Sequence, residues 1–139
     1  MQYVATIYID PTLVAELPDG KFEAMMRDCF DHVDDLARRK KILDSQMLVD
    51  AGEAKTLRTR GPKRAVLDGP FAETKEVLGG FNLIEADSME EAVEIASHFP
   101  WHAVGSVEVR AVQSIEAMRV RVGCAPGAAV AARERMGAA

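Results

Sequence analysis

The sequence predicts an α+β domain in which two helices lie on one face of an open sheet. Two stretches carry apolar residues at the three- and four-residue steps of an amphipathic helix, and strand-like stretches flank each of them. The order is strand, long helix, one to three strands, strand, short helix and strand, which makes two βαβ-like halves. We therefore expect a ferredoxin-like sheet. The length of 139 residues is that of one domain.

The first half begins with a predicted strand at Tyr3–Ile9 that is apolar on both faces, as is typical of the middle of a sheet. Asp10 and Pro11 end this strand, because proline cannot continue ladder pairing. A helix is predicted over Phe22–Ala37, with one apolar stripe against the core. The cations of Arg38–Lys41 follow it and suit the negative end of the helix dipole.

The middle of the chain contains shorter apolar pieces. Ile42–Val49 is compatible with one strand, and Thr56–Arg60 and Arg64–Asp68 form a predicted hairpin joined by Gly61-Pro62-Lys63. The basic residues on this hairpin are Lys55, Arg58, Arg60, Lys63 and Arg64. We favour protection of an exposed edge from stray strand pairing as their role, over the binding of anions.

The second half repeats the order of the first. A strand is predicted at Leu78–Ala86, and a helix follows Ser88, because Ser88 and Glu91 have the spacing of a capping box. Pro100 ends that helix, and Gly105–Val112 alternates as the last strand. A sheet with both helices on one side leaves its other side bare, and a second copy of the chain is the simplest cover. We therefore expect a homodimer.

The segment Asp68–Glu76 is unlike an ordinary connection. Its Asp-Gly-Pro start restricts the backbone, an aromatic side chain follows, and a hydroxyl, an ammonium and a carboxylate come within one turn. Such a rigid loop suits a small-molecule pocket. The expected ligand-binding residues are Gly69, Pro70, Phe71, Thr74 and Glu76. Asp68 either contacts a ligand or caps the turn through an Asx-turn.

The sequence DGPFAETKE at Asp68–Glu76, followed by GGF at Gly79–Phe81, resembles the motif of the DGPF group within the YCII-related family. The sequence GSVEVR at Gly105–Arg110 resembles the C-terminal strand motif of that group, with Ala111 where the group usually has proline. This resemblance implies a ferredoxin-like fold that pairs into a dimeric α/β barrel.

The resemblance covers residues 1–113, which we assign to a YCII-related DGPF domain. Residues 114–139 form an Ala/Gly-rich C-terminal tail that is expected to be loose or docked on a partner. A short helix over Ala128–Met136 is compatible with the tail, although a helix of that length is marginal alone in water.

The YCII-related family is suspected of enzymatic chemistry because a histidine on the first helix and an aspartate share a pocket. His32 stands near the place of that histidine, although the Lys40–Leu43 segment after the helix departs from the family pattern. The resemblance thus implies a catalytic role for His32. Asp68 is the second catalytic candidate because of its place in the loop, and no cofactor is expected. The histidines have no metal-ligand spacing with Asp or Cys, so no metal is expected either. From the residues alone, a boundary histidine bonded to Asp28 or Asp35 is favoured over a catalytic base.

Two functions follow from these observations. One is a cofactor-free enzyme in which His32 moves a proton on a small metabolite, with Asp68 orienting it in a pocket walled by Phe71. The alternative is a non-catalytic, ligand-sensing or regulatory dimer that works with an alternative sigma factor, because members of the DGPF group are often encoded beside such factors. Convergence of His32 and Asp68 on one cavity would favour the enzyme.

The composition argues against two classes of partner. A net charge of −5 disfavours general binding to nucleic acid, and no apolar run is long enough to span a membrane. The two cysteines, Cys29 and Cys124, exclude a disulfide scaffold and favour a reducing compartment. The N-terminus lacks the basic leader of a signal peptide. We therefore expect a cytoplasmic protein.

Overall fold

A computed structural model of the chain describes residues 1–125 and 127. This part of the chain contains six strands: β1 (Gln2–Ile9), β2 (Ile42–Met47), β3 (Lys55–Arg60), β4 (Lys63–Asp68), β5 (Val77–Glu85) and β6 (Gly105–Ala111). It also contains four α-helices: α1 (Pro11–Ala15), α2 (Lys21–Arg38), α3 (Met89–Ser97) and α4 (Ile115–Arg121). The prediction of a mixed α+β domain is confirmed.

Four of the strands form one antiparallel sheet in the order β2-β5-β1-β6. The first strand pairs with β5 on one side and β6 on the other, so it is a central strand as its two apolar faces predicted. Its C-terminal residue, Ile9, lies opposite both Val77 and Gly105. This register brings the starts of β5 and β6 to the end of β1.

The core lies between one face of this sheet and the two longer helices. Alternate residues of β1 (Tyr3, Ala5 and Ile7) are buried on this face. They belong to one hydrophobic cluster with the buried residues of α2 and α3, which are Met25, Cys29, Leu36, Ala92, Ile95 and Ala96. The stripe predicted for each helix therefore packs on the same side of the sheet, where burial of apolar surface supplies most of the driving force for folding.

The start of α3 is fixed by the predicted capping box. The backbone N–H of Glu91 donates to Ser88 Oγ at 3.1 Å, and the Glu91 carboxylate accepts from the backbone N–H of Asp87 at 2.9 Å. Lys41, which follows α2, places its Nζ 2.7 Å from Glu91 Oε1. This ion pair joins the end of one helix to the beginning of the other.

The β3–β4 hairpin forms a separate two-stranded sheet. Its existence was predicted, but the turn is shorter than expected because Lys63 already pairs with Arg60 as part of β4. Only Gly61 and Pro62 connect the strands. Gly61 has a φ of 59°, in the left-handed region that a tight hairpin turn requires and that glycine adopts without steric cost.

Two helices were not predicted. The first, α1, has only five residues, too few for an apolar period, although Asp10 caps it and Pro11 occupies its first turn. The second, α4, begins at Ser114, whose side chain accepts from the backbone N–H of Ala117. It lies within the predicted tail. The helix expected over Ala128–Met136 lies outside the described residues.

The first prediction concerns the glycine pair at the start of β5. A Cβ on Gly80 would lie 2.5 Å from the carbonyl oxygen of Gln46, whereas a Cβ on Gly79 would meet the movable Ile9 side chain at 3.2 Å. Gly80→Ala should therefore lower the free energy of unfolding by about 1–3 kcal/mol, as overpacking does. Urea denaturation measures the loss. The control, Gly79→Ala, should lose less, and equal losses would contradict the close approach at Gly80.

The second prediction concerns pH and the Lys41–Glu91 ion pair. The pKa of Glu91 is lowered, chiefly by its hydrogen bond from Lys41, and the pKa of Lys41 is raised, chiefly by the same bond. Glu91 thus stabilises the fold above its ordinary pKa near 4.5, and this contribution is lost as the pH falls through the lowered value. Lys41 stabilises it below its ordinary pKa near 10.5, and this contribution is lost as the pH rises through the raised value.

Lys41→Met should consequently lower the stability between these limits and flatten both slopes of stability against pH. Denaturant unfolding at a series of pH values measures this. Lys40→Met is the matched control, since it removes a neighbouring exposed charge that makes no ion pair in the described part of the chain. Identical pH profiles for the two variants would contradict the assignment.

Candidate functional site

An open pocket of about 230 Å³ lies where the end of β1 meets the starts of β5 and β6. It is lined by Asp10, Leu13, Lys75, Glu76, His102, Ala103, Gly105 and Ser106. These residues are far apart in the sequence, and the pairing of Ile9 with Val77 and with Gly105 brings them together. We call this the Asp10 pocket.

Asp10 is the buried polar group of the pocket. Its side chain is only 3% exposed. One carboxylate oxygen, Oδ1, accepts from the backbone N–H of Thr12 at 2.9 Å, which caps α1. The other, Oδ2, lies 3.7 Å from the Nζ of Lys75. A buried carboxylate is costly without such partners, so capping accounts for one oxygen while the second faces an ammonium in the pocket.

Glu76 and Ser106 form a polar pair in the same pocket. The Ser106 hydroxyl donates to Glu76 Oε1 at 2.7 Å, and the Thr74 hydroxyl donates to the Glu76 carbonyl oxygen at 2.5 Å. Two side chains thus hold the predicted ligand-binding residue Glu76 at the start of β5. Thr74 acts on the backbone of this loop and does not line the pocket.

His102 contributes an imidazole to the pocket. Its Nε2 donates to the backbone carbonyl of Ser97, at the end of α3, with a distance of 3.0 Å. A carbonyl oxygen can only accept, so Nε2 carries a proton. The 3-10 helix at Pro100–Ala103 positions this ring.

His32 lies elsewhere, between α2 and α3. Its Nε2 donates to the backbone carbonyl of Ile95 at 2.9 Å, and its ring contacts Phe99 edge-on with centroids 4.8 Å apart. His32 was predicted to bond to Asp28 or Asp35, and this prediction is wrong because the partner is the carbonyl of Ile95. Asp35 instead pairs with Arg39 at 3.0 Å. The contacts of His32 join two helices.

Asp68 ends β4, and its side chain is 87% exposed. Its carboxylate forms an ion pair with Lys55, the residue opposite it in the hairpin, in place of the predicted Asx-turn. Gly69, in the left-handed region with φ 88°, donates its N–H to the carbonyl of Ala54 at 2.7 Å. The start of the Asp-Gly-Pro turn therefore continues the hairpin.

The structure does not bring His32 and Asp68 together. Their contacts have no residue in common, and neither lines the Asp10 pocket. Of the predicted ligand-binding residues, Glu76 lines the pocket, whereas Gly69, Pro70, Phe71 and Thr74 do not. Phe71 is exposed, and its carbonyl accepts from Arg58.

Sequence reasoning missed four polar residues of the pocket: Asp10, Lys75, His102 and Ser106. A signal existed for Asp10, since an aspartate before proline at the end of a buried strand is a helix N-cap. Lys75 lies in the DGPFAETKE sequence and Ser106 in the GSVEVR sequence. No local pattern distinguishes His102, which reaches the pocket only through the tertiary structure.

The buried cysteine, Cys29, belongs to the hydrophobic core. Burial raises the pKa of the Cys29 thiol, and its hydrogen bond with Trp101 has a smaller, opposing effect. The raised pKa disfavours the nucleophilic thiolate.

Residues 1–125 and 127 contain no group of three His, Cys, Asp or Glu side chains placed to hold a metal ion. In the same residues, no helix has the length and apolar character needed to cross a bilayer.

The fold and the pocket define a small α+β domain whose polar pocket lies at the end of its central strand. A family profile described as the YCII-related domain matches residues 1–116. Uncharacterized protein R00369 of Rhizobium meliloti (strain 1021) is 35% identical over 112 residues, which cover 79% of this chain and 90% of that protein. The chain belongs to the YCII-related family.

A solved structure is also similar in outline. It is 5-chloro-2-hydroxyhydroquinone dehydrochlorinase (TftG) from Burkholderia phenoliruptrix AC1100, in complex with 2,5-dihydroxybenzoquinone. The sequences are 15% identical, the TM-score is 0.41, and the match covers 81% of this chain and 94% of that one.

A third prediction tests the contribution of Asp10 to stability as the cap of α1. Asp10→Ala removes the cap of α1 and should lower the free energy of unfolding by about 1 kcal/mol. Asp10→Asn keeps an acceptor for the Thr12 N–H and should lose less. Denaturant unfolding of both variants measures this difference. Equal losses would show that the hydrogen bond to Thr12 contributes nothing.

Proposed function

We propose that this YCII-related protein is a small cofactor-free enzyme that transfers a proton on a small polar metabolite bound in the Asp10 pocket. The observation that carries the proposal is the buried carboxylate of Asp10, whose Oδ2 lies 3.7 Å from the Lys75 ammonium. A volume of about 230 Å³ is below the range of about 300–1,000 Å³ typical of pockets for drug-sized ligands. The ligand is accordingly a small metabolite.

The chemistry follows from the types of group in the pocket. Asp10 Oδ2 accepts a proton from the bound metabolite, and the Lys75 ammonium stabilises the negative charge that develops on it. Glu76, held by Ser106, and His102 orient the polar atoms of the metabolite. The proposed proton transfer lies beside the Asp68–Glu76 loop, because Lys75 and Glu76 of that loop line the pocket. The proposed base, however, is Asp10 at the end of β1, and not His32.

The catalytic roles stay predictions, for His32 from the family resemblance and for Asp68 from its place in the loop. Membership in the DGPF group rests in the same way on the DGPFAETKE sequence at Asp68–Glu76. In this proposal His32 supports the contact of α2 with α3, through its bond to Ile95, and Asp68 supports the hairpin.

We also propose a ferredoxin-like, cytoplasmic homodimer that pairs through the bare face of its sheet into an α/β barrel. The strand order β2-β5-β1-β6 with α2 and α3 on one face supports this topology. On the other face, Val4 and Thr6 of β1 lie opposite Leu83 and Phe81 of β5, and all four side chains are only partly buried. A second copy would cover this surface.

The fourth prediction tests the enzyme. A metabolite library screened by thermal shift should yield a ligand that stabilises the wild type, by about 2.7 kcal/mol at a concentration of 100 Kd. Incubation of that ligand with the protein in D₂O should exchange one of its hydrogens, as followed by proton NMR. Asp10→Asn should slow this exchange at least about 100-fold, the usual contribution of a general base.

His32→Ala and Asp68→Ala are the matched comparisons, because each removes a titratable side chain outside the pocket. If these variants, and not Asp10→Asn, abolish the exchange, His32 and Asp68 are the catalytic residues and the role proposed for Asp10 is wrong. Binding without exchange would favour the ligand-sensing alternative. No ligand at all would favour the regulatory dimer that works with a sigma factor.

A further inference from the structure

The β3–β4 hairpin is an exposed arm. All six residues of β4 are exposed. Within the described part of the chain, the hydrogen bonds and ion pair of residues 55–68 reach only residues 54–71, as in the bonds of Thr56 to Gly69 and Arg58 to Phe71. A two-stranded hairpin alone is marginally stable in water, so this arm lacks the packing that hairpins usually have.

One face of the arm is apolar at its centre and cationic towards its tip. Leu57 and Val66 lie directly opposite each other and are 61% and 66% exposed. The next pair on the same face is Thr59 with Arg64, because alternate residues of a strand share a face. Arg64 makes no ion pair with any described residue.

The charge of the arm is opposite to that of the remaining chain. Five cations and one carboxylate give residues 55–68 a net charge of +4, and because the whole chain carries −5, the other residues carry −9. The arm and the body of a second copy therefore attract each other. General affinity for polyanions is opposed by the charge of the body.

Helix α2 offers a surface with the complementary pattern. Glu23, Phe30 and Asp34 lie seven and four residues apart, so they share one side of the helix, and all three are exposed. Phe30 supplies an apolar centre between the two carboxylates, and Arg27 is a cation on the same side. Neither Glu23 nor Asp34 has an ion pair in the described part of the chain.

We infer that the hairpin arm packs on α2 of a second copy, with Leu57 and Val66 against Phe30, and Arg64 beside Asp34. A strand of six residues is about 20 Å long, which is about the combined thickness of a sheet layer and a helix. The arm can thus reach past the sheet to the helices of the other copy. This inference rests on the proposed homodimer and adds a second contact to it.

The fifth prediction tests this contact by exchanging charges in the full chain. Arg64→Glu and Asp34→Arg should each weaken self-association about tenfold or more, as measured by analytical ultracentrifugation at low salt, and the double variant should recover most of the loss. Arg60→Glu is the matched control, since it reverses a charge on the other face of the same arm and should have a smaller effect. Arg64→Ala and Asp34→Ala repeat the test with less perturbation of the fold.

The possible failures can be told apart. A wild type that stays monomeric at high concentration would overturn both the homodimer and the arm contact. A dimer whose affinity is unchanged by Arg64→Glu and Asp34→Arg would overturn the arm contact alone. Loss of binding to nucleic acid or to anionic vesicles in Arg64→Glu, with dimer affinity unchanged, would show that the arm binds that partner.

Discussion

The close approach of β6 to β1 is the constraint on which the candidate site depends. Any side chain at Gly105 would overlap the carbonyl oxygen of Tyr8, so this position requires glycine. Because Gly105 pairs with Ile9, the approach sets Ser106 next to the end of the central strand. On the other side, the pairing of Ile9 with Val77 sets Glu76 there as well. The pocket is thus a consequence of strand register.

Register also explains why a buried carboxylate is tolerated at the end of β1. The backbone N–H of Asp10 donates to the carbonyl of Val104 at 2.8 Å, and its side chain caps α1. The first bond anchors the backbone, the capping bond satisfies Oδ1 of the carboxylate, and Lys75 provides the opposite charge from the loop before β5. Capping thus occupies Oδ1, while Oδ2 faces Lys75, and the proposed function uses Oδ2.

Much of the fold could be predicted from the sequence, and the limits have physical causes. Periodicity located β1, α2, α3 and β6 because each has an apolar face that the core requires. The capping residues Ser88 and Glu91 located the start of α3. The helix α1 was missed because five residues give no period.

The site was harder to predict than the fold, since its members come from three separate segments. Glu76 and Asp68 were both expected from the local composition of their loop, and of the two only Glu76 lines the Asp10 pocket. Nothing local shows that Lys55 lies opposite Asp68 and forms an ion pair with it. His102 comes close to Asp10 through tertiary contacts, such as the bond from the Asp10 N–H to the Val104 carbonyl, which local patterns do not encode.

Chemical-shift mapping of the backbone amides during titration with a metabolite tests the central claim most directly. The account predicts that the largest changes fall at residues 10–13, 75–76 and 102–106, which surround the Asp10 pocket. Changes centred on His32 and Ile95, or on Asp68 and Phe71, with those residues unaffected, would contradict it.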